Sequence, residues 1–189
     1  TVKAQNNQTP TLENFINDGT IKGKIGIENN GGGFSGTITV KTFENKNNGF
    51  IDGDIYMGLW KGNGTISIEN FNNAGTISGK SRNEKGVHFE AQDNAKVHIQ
   101  TFKNSGTIEG ERAEKGQGVR FEGNVTINTF ENEGTIKSNN DGGVYFEGTT
   151  HIKTFHNKNT GTIQAPNGKN SITVKAQNNQ TPTLENFIN

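Results

Sequence analysis

Apolar and polar positions alternate along this chain in short bursts. In Gly-Val-His-Phe-Glu (86–90), Gly-Val-Arg-Phe-Glu (118–122) and Gly-Val-Tyr-Phe-Glu (143–147), one variable polar residue separates Val from Phe. That is period two, the pattern of a strand with one face buried and one in water. A second kind of piece reads Val97-x-Ile99-x-x-Phe102 and Val125-x-Ile127-x-x-Phe130, and a third is the short Gly-Thr-Ile. No segment carries apolar residues at the helical period. The three pieces follow one another in a fixed order with turn residues between them. They predict a coil of three short strands.

The coil recurs. A unit reading Phe-x-Asn, a polar spacer and Gly-Thr-Ile starts at Phe15, Phe43, Phe71, Phe102, Phe130 and Phe155, and a seventh copy begins at Phe187. The paired isoleucines are Ile21, Ile51, Ile77, Ile108, Ile136 and Ile163; only the second copy departs from the motif, with Phe50 in place of Thr. The steps between Phe positions are 28, 28, 31, 28, 25 and 32 residues, so length varies in loops around a constant pattern. Such a repeat predicts an all-β, three-sided parallel β-helix of about six coils, each near 28 residues, in which equivalent strands stack. The Phe column should form one internal stack and the Ile column another. Asn17, Asn45, Asn73, Asn104, Asn132 and Asn157 should form a side-chain amide ladder at a corner. Asn also tolerates the left-handed backbone that a sharp corner can require.

Residues 1–17 and 173–189 are the same sequence, TVKAQNNQTPTLENFIN, 172 residues apart. The six Phe steps total the same 172, so the chain reads as one solenoid segment with a superrepeat of six coils. The simplest origin is a large protein made of such blocks, although an engineered overlap would give the same identity. The chain opens on Thr1, with neither an initiator Met nor a signal-peptide pattern, and is expected to be a fragment or a mature segment. With no capping helix in the pattern, it is expected to associate end to end.

Composition changes this picture little. Only 28% of residues are hydrophobic and mean hydropathy is −0.80, values that would suit a disordered chain. Disorder also needs high net charge, whereas 19 basic residues here balance 19 acidic ones. The apolar set is β-branched and aromatic, 18 Ile, 8 Val and 12 Phe against 3 Leu, which favours strands. Zero net charge argues against a general nucleic-acid or anionic-membrane surface. The absence of Cys excludes disulfides and thiolate metal sites. No apolar run reaches about 18 residues, so no transmembrane helix is expected.

The Phe-x-Asn-x-x-Gly-Thr-Ile repeat, with Gly-Val-x-Phe-Glu between copies, resembles the passenger domains of Gram-negative autotransporters and haemagglutinin-like adhesins. The nearest sub-type is that of outer-membrane proteins similar to the vacuolating cytotoxins. The resemblance covers essentially the whole chain and is one of repeat style. It implies a right-handed β-helix, the hand also favoured by parallel crossovers. It further implies export to the bacterial outer surface and a role in adhesion, aggregation or host contact. It implies no catalytic residues and no cofactor.

Candidate chemistry is sparse. β-Helices that act on polysaccharides need carboxylates converging on one face. The best candidates are Asp52 and Asp54, which alternation would put on one side of a strand, beside Tyr56, Trp60 and Lys61. Trp60 would then stack on a sugar ring. The plainer reading is a polar corner with an aromatic filling a gap. Glu90, Glu122 and Glu147 recur with the repeat and read as a solvated edge. His88, His98, His151 and His156 are scattered, and Gly31-Gly32-Gly33 lacks the flanking residues of a calcium or phosphate loop. The Thr column at Thr20, Thr76, Thr107, Thr135 and Thr162 is similar to ice-binding solenoids, but mixed and charged residues two positions on break the array. Asn124-Val125-Thr126, with Glu122 two residues before it, fits a bacterial N-glycosylation acceptor. The sequence thus predicts a non-enzymatic shaft or adhesive module. Its partners would be adjacent repeats and surface glycans or proteins, met through outward faces or the loops 29–36, 80–86 and 111–118. A polysaccharide-active enzyme using Asp52, Asp54 and Trp60, or a toxin-like passenger that oligomerises through its ends, are the alternatives.

Overall fold

The computed structural model describes residues 1–29, 33–79, 84–111, 116–177 and 179–189. Strands of three to nine residues build three parallel sheets, each taking one strand per coil. Sheet 1 consists of β1 (Val2–Ala4), β4 (Ile25–Asn29), β7 (Ile55–Leu59), β10 (Val87–Ala91), β13 (Val119–Gly123), β16 (Val144–Glu147) and β19 (Ile172–Lys175). Sheet 2, the widest, consists of β2 (Thr11–Asn17), β5 (Thr37–Asn45), β8 (Thr65–Asn73), β11 (Lys96–Asn104), β14 (Val125–Asn132), β17 (His151–Asn157) and β20 (Thr183–Ile188). Sheet 3 consists of β3 (Thr20–Lys22), β6 (Phe50–Asp52), β9 (Thr76–Ser78), β12 (Thr107–Gly110), β15 (Thr135–Ser138) and β18 (Thr162–Gln164). The chain is a β-solenoid of about six turns, with no helix among the described residues. At about 4.8 Å per stacked strand, six rungs rise roughly 29 Å.

Register follows the repeat. Phe71 pairs with Phe43 on one side and Phe102 on the other, and Ile77 lies between Ile51 and Ile108. In β8, Ile66 and Ile68 are buried, Glu69 and Asn70 face outward, and Phe71 and Asn73 are buried again. The period-two pattern slips by one residue there and bends the strand. The x-x of Val97-x-Ile99-x-x-Phe102 is that slip. Because β5 and β11 slip at the equivalent place, the bends nest and the ladder continues.

Stacking supplies the core that no coil could bury alone. The rings of Phe15, Phe43, Phe71, Phe102, Phe130 and Phe155 lie 4.5–4.8 Å apart and within 7° of parallel. Face-to-face stacking is not the arrangement an aromatic quadrupole prefers; the strand spacing imposes it. A second column, Phe89, Phe121 and Phe146, offsets this by meeting the first edge-on, at 77–84°. In earlier coils the second column continues as Met57 and Ile27.

The corner between sheets 2 and 3 is polar inside. Asn17, Asn45, Asn73, Asn104, Asn132 and Asn157 each donate from Nδ2 to the Oδ1 of the next asparagine, and the last of these reaches Asn189, at 2.7–3.0 Å. The amide also faces backbone carbonyls, for Asn104 those of Gly106 and Thr135. The ladder asparagines do not adopt the left-handed backbone: among described non-glycine residues only Asn6, Asp93 and Asn179 have positive φ. What the corner demands instead is space. A Cβ on Gly106 would lie 2.0 Å from the carbonyl oxygen of Gly75, and Gly49, Gly75, Gly134 and Gly161 are as crowded, whereas Gly19 on the end rung meets nothing. Asn104→Ala should cost about 1–3 kcal/mol, because it strands the Asn73 donor and the Asn132 acceptor in a dry corner. Urea unfolding checks this, with Asn128→Ala on the exposed face, expected within about 0.5 kcal/mol of the parent, as the control.

The duplicated 17-residue segment occupies equivalent rungs at opposite ends. β1 and β2 pair with β4 and β5, whereas β19 and β20 pair with β16 and β17. Phe15 stacks on Phe43 from one side, and Phe187 on Phe155 from the other at 5.3 Å. The same residues therefore present a compatible surface on either edge.

Candidate functional site

The corner from sheet 3 to sheet 1 separates the two carboxylates that alternation had put together. β6 ends at Asp52 and β7 begins at Ile55, so Asp52 belongs to sheet 3 while Asp54 lies in the turn onto sheet 1. Two residues apart along one strand would mean one face; across a corner it does not. Asp54 is buried, with Lys24 Nζ 3.4 Å from Oδ2 and no hydrogen-bond partner for Oδ1 among the described residues. Burial pushes its carboxyl up, against the pull of Lys24. Asp52 and Asp54 therefore do not share one strand face, and Asp54 is drawn inward toward Lys24.

Tyr56 and Trp60 do come together. Tyr56 points outward from β7 yet is buried, because Gly58 leaves room for its ring along the sheet: a Cβ on Gly58 would lie 2.4 Å from the tyrosine hydroxyl. Trp60 is 61% exposed, and its indole Nε1 donates to the Tyr56 hydroxyl. That hydroxyl donates in turn to Glu90 Oε2 at 3.0 Å, and Gln92 Nε2 donates to Glu90 Oε1. Burial, and then the Glu90 charge, push the phenol far above its ordinary value. Lys24 Nζ sits 4.7 Å over the same ring.

The glutamate column is not a solvated edge. Glu90 is 8% and Glu147 3% exposed. Stacking brings the outward side chains of Tyr56, His88, Arg120 and Tyr145 into one row, and those of Glu90, Glu122 and Glu147 into the next. Carboxylates on adjacent rungs would repel, and Arg120 bridges them. Its Nε donates to Glu122 Oε2 at 2.8 Å, its Nη2 donates to Glu147, and the guanidinium lies 4.7 Å from the Tyr145 ring. Lys175 Nζ stands 3.4 Å from the other Glu147 oxygen. Burial would push Glu122 up, but contacts with His88 and Arg120 more than reverse this and hold it well below the usual carboxylate range. Burial likewise works against the Arg120 charge, and Glu122 and Glu147 more than offset it.

His88 lies inside this row, its Nε2 3.3 Å from Glu122 Oε2 but out of line for a full hydrogen bond. Burial lowers its pKa from 6.5 to about 4; Glu122 opposes the shift, while Lys85 and Arg120 add to it. Between those values the unfolded chain takes up a proton that the folded one refuses. The His88 contribution to stability should therefore be complete above pH 6.5 and fall as pH drops toward 4, by about 3 kcal/mol. His88→Gln should flatten that slope in urea midpoints measured from pH 7.5 to 4; an unchanged slope would assign it to other groups.

The corner from sheet 1 to sheet 2 holds a cleft that periodicity did not reveal. The connection is long after β7 (residues 60–64) and β10 (residues 92–95), short after β13 (Asn124 alone) and β16 (residues 148–150), and long again after β19 (residues 176–182). Two short corners between long ones leave a recess of about 370 Å³. Gln92 and Asp93 form one wall, Gln177 and Gln180 the other, and Glu122, Gly123, Asn124 and Thr149 the floor. Gly123 turns at φ +79°, and a Cβ there would meet the Ala91 carbonyl oxygen at 1.9 Å. Asn124, the glycosylation candidate, is fixed on the floor, its N–H donating to Ala91 O and its carbonyl accepting from Val97 N.

Among the described residues no group of three His, Cys, Asp or Glu side chains is placed to hold a metal. His151 instead pairs with Glu185 at 2.8 Å. Residues 30–32, 80–83 and 112–115, and with them much of the three expected contact loops and Gly31-Gly32, lie outside the described residues. No described helix is long and apolar enough to cross a membrane, which says nothing of a β-barrel. Set against known proteins, the chain matches no family model, no curated protein and no solved structure.

Proposed function

We propose that this chain is a structural and adhesive repeat module of a large secreted or surface-exposed bacterial protein. It acts as a rigid shaft or contact surface for cell–cell, host or matrix contact. The observation that carries the reading is the 17-residue segment that recurs after 172 residues and takes equivalent rungs at opposite ends. A block whose last rung repeats its first joins head to tail with all three sheets unbroken, so neighbouring blocks are its first partners. Distributed outward side chains, rather than one catalytic centre, then meet glycans or proteins on another surface. The autotransporter-like repeat style supports an extracellular location.

The test is antibody labelling of intact producing cells, with an in-frame deletion of one 172-residue period from the parent protein. Labelling without permeabilisation is expected. The deletion should shorten the projecting structure by roughly 29 Å while leaving its display unchanged. Labelling that appears only after permeabilisation would refute the reading.

A further inference from the structure

We propose that the cleft at the corner of sheets 1 and 2, with Trp60 as its outer platform, binds an uncharged oligosaccharide. This rests on the reading of the module as a contact surface and names what that surface takes. The recess is set by connection lengths on a stacked frame, so it is formed before any ligand arrives, and its 370 Å³ falls within the range of ligand pockets.

Its chemistry narrows the class. Gln92, Asn124, Gln177 and Gln180 each offer an amide donor and an amide acceptor, and Asp93 and Glu122 add carboxylate acceptors. A sugar hydroxyl both donates and accepts, so a ring of hydroxyls matches this lining in either direction. Among the described residues no cationic side chain lines the cleft, which disfavours anions, and Ala91 is the only aliphatic one, which disfavours an apolar peptide. A divalent cation is served poorly: Arg120 already holds Glu122 Oε2 at 2.8 Å, so among the described lining residues only the other Glu122 oxygen and Asp93 are left as carboxylate ligands.

Trp60 extends the site. It is the sole tryptophan and is 61% exposed, yet its indole N–H is tied to Tyr56. From Tyr56 the chain of hydrogen bonds runs through Glu90 to Gln92, the cleft wall. The Gln92 N–H also donates to Leu59 O at 3.0 Å, which places the wall one rung from the tryptophan. The apolar C–H face of a sugar ring laid on the held indole covers an aromatic surface that water otherwise meets. From Trp60 to Gln180 the site covers five rungs, about 19 Å along the axis.

The experiment titrates this chain with β-1,4-linked N-acetylglucosamine tetramer, β-1,4- and α-1,4-linked glucose tetramers, a sulfated heparin tetrasaccharide and calcium ion. Trp60 fluorescence and calorimetry are the readouts. At least one uncharged tetramer should bind and shift the Trp60 emission. Trp60→Ala and Thr149→Arg, the second filling the floor from an exposed position, should each weaken it roughly tenfold or more with melting temperature unchanged. Binding of calcium or the sulfated sugar alone, no binding of any uncharged tetramer, or insensitivity to Thr149→Arg would overturn the proposal. So would a covalent glycan on Asn124 in native material, since it would fill the cleft. These titrations are independent of cell-surface labelling, so either reading can fail without the other.

Discussion

Phe102→Ala should destabilise the solenoid by about 3–5 kcal/mol, the upper range for removing a buried aromatic. Phe102 is stacked between Phe71 and Phe130 at 4.8 Å and receives the edges of Phe89 and Phe121 at 6.2 and 6.1 Å. The void left behind cannot close, because ladder hydrogen bonds on all three sheets hold neighbouring rungs at their spacing. Phe187, half exposed on an end rung with Phe155 as its one ring neighbour, provides the contrast. Phe187→Ala should cost less than about 1.5 kcal/mol. Denaturant unfolding combined with amide exchange separates the two, and the central variant should also speed exchange in β8 and β14. Equal losses at the two positions would show that the Phe column is not the core.

Arg120→Met is the second large effect, expected at about 3–5 kcal/mol. The guanidinium is 1% exposed and ties Glu122 and Glu147 together from adjacent rungs. Removing it leaves two carboxylates side by side in a site largely closed to water. The loss belongs mainly to the stranded charges rather than to the lost attraction. Adding Glu122→Gln and Glu147→Gln to Arg120→Met should therefore recover most of the stability, since a neutral cluster of similar volume avoids the buried charge. Comparing unfolding midpoints of the single and triple variants decides it. A triple variant no more stable than Arg120→Met would place the effect in packing.

The solenoid was legible because the same two signals recur in every coil. Period two says which residues point inward, and the repeat says which stack on which. That sufficed for the Phe, Ile and Asn columns and for the three strands per coil. It did not suffice for Asp52 and Asp54, where residue spacing was read as one strand across a turn. A signal existed: Gly23, Gly53, Gly79 and Gly110 each follow the conserved-spacing Ile by two residues and mark the end of sheet 3. The glutamates were missed for another reason. Alternation gives the side of a sheet on which a residue lies, but not whether long neighbours lie across it and keep water out. Arg120, two residues before Glu122 and stacked against Tyr145 in the row beside the Glu122–Glu147 pair, was the one hint in the sequence. The cleft follows from length rather than pattern, with steps of 28 and 25 residues between steps of 31 and 32.

The direction of the ladder hydrogen bonds has a mechanical side. In stacked coils these bonds run along the long axis, so tension between the ends loads the terminal rung first instead of spreading over every rung. Each coil that peels away releases about 28 residues, close to 95 Å of extended chain, while the coils behind it stay folded. Under load such a chain lengthens in steps and dissipates energy at each one. An attachment held by many blocks in series would yield by growing longer before it let go.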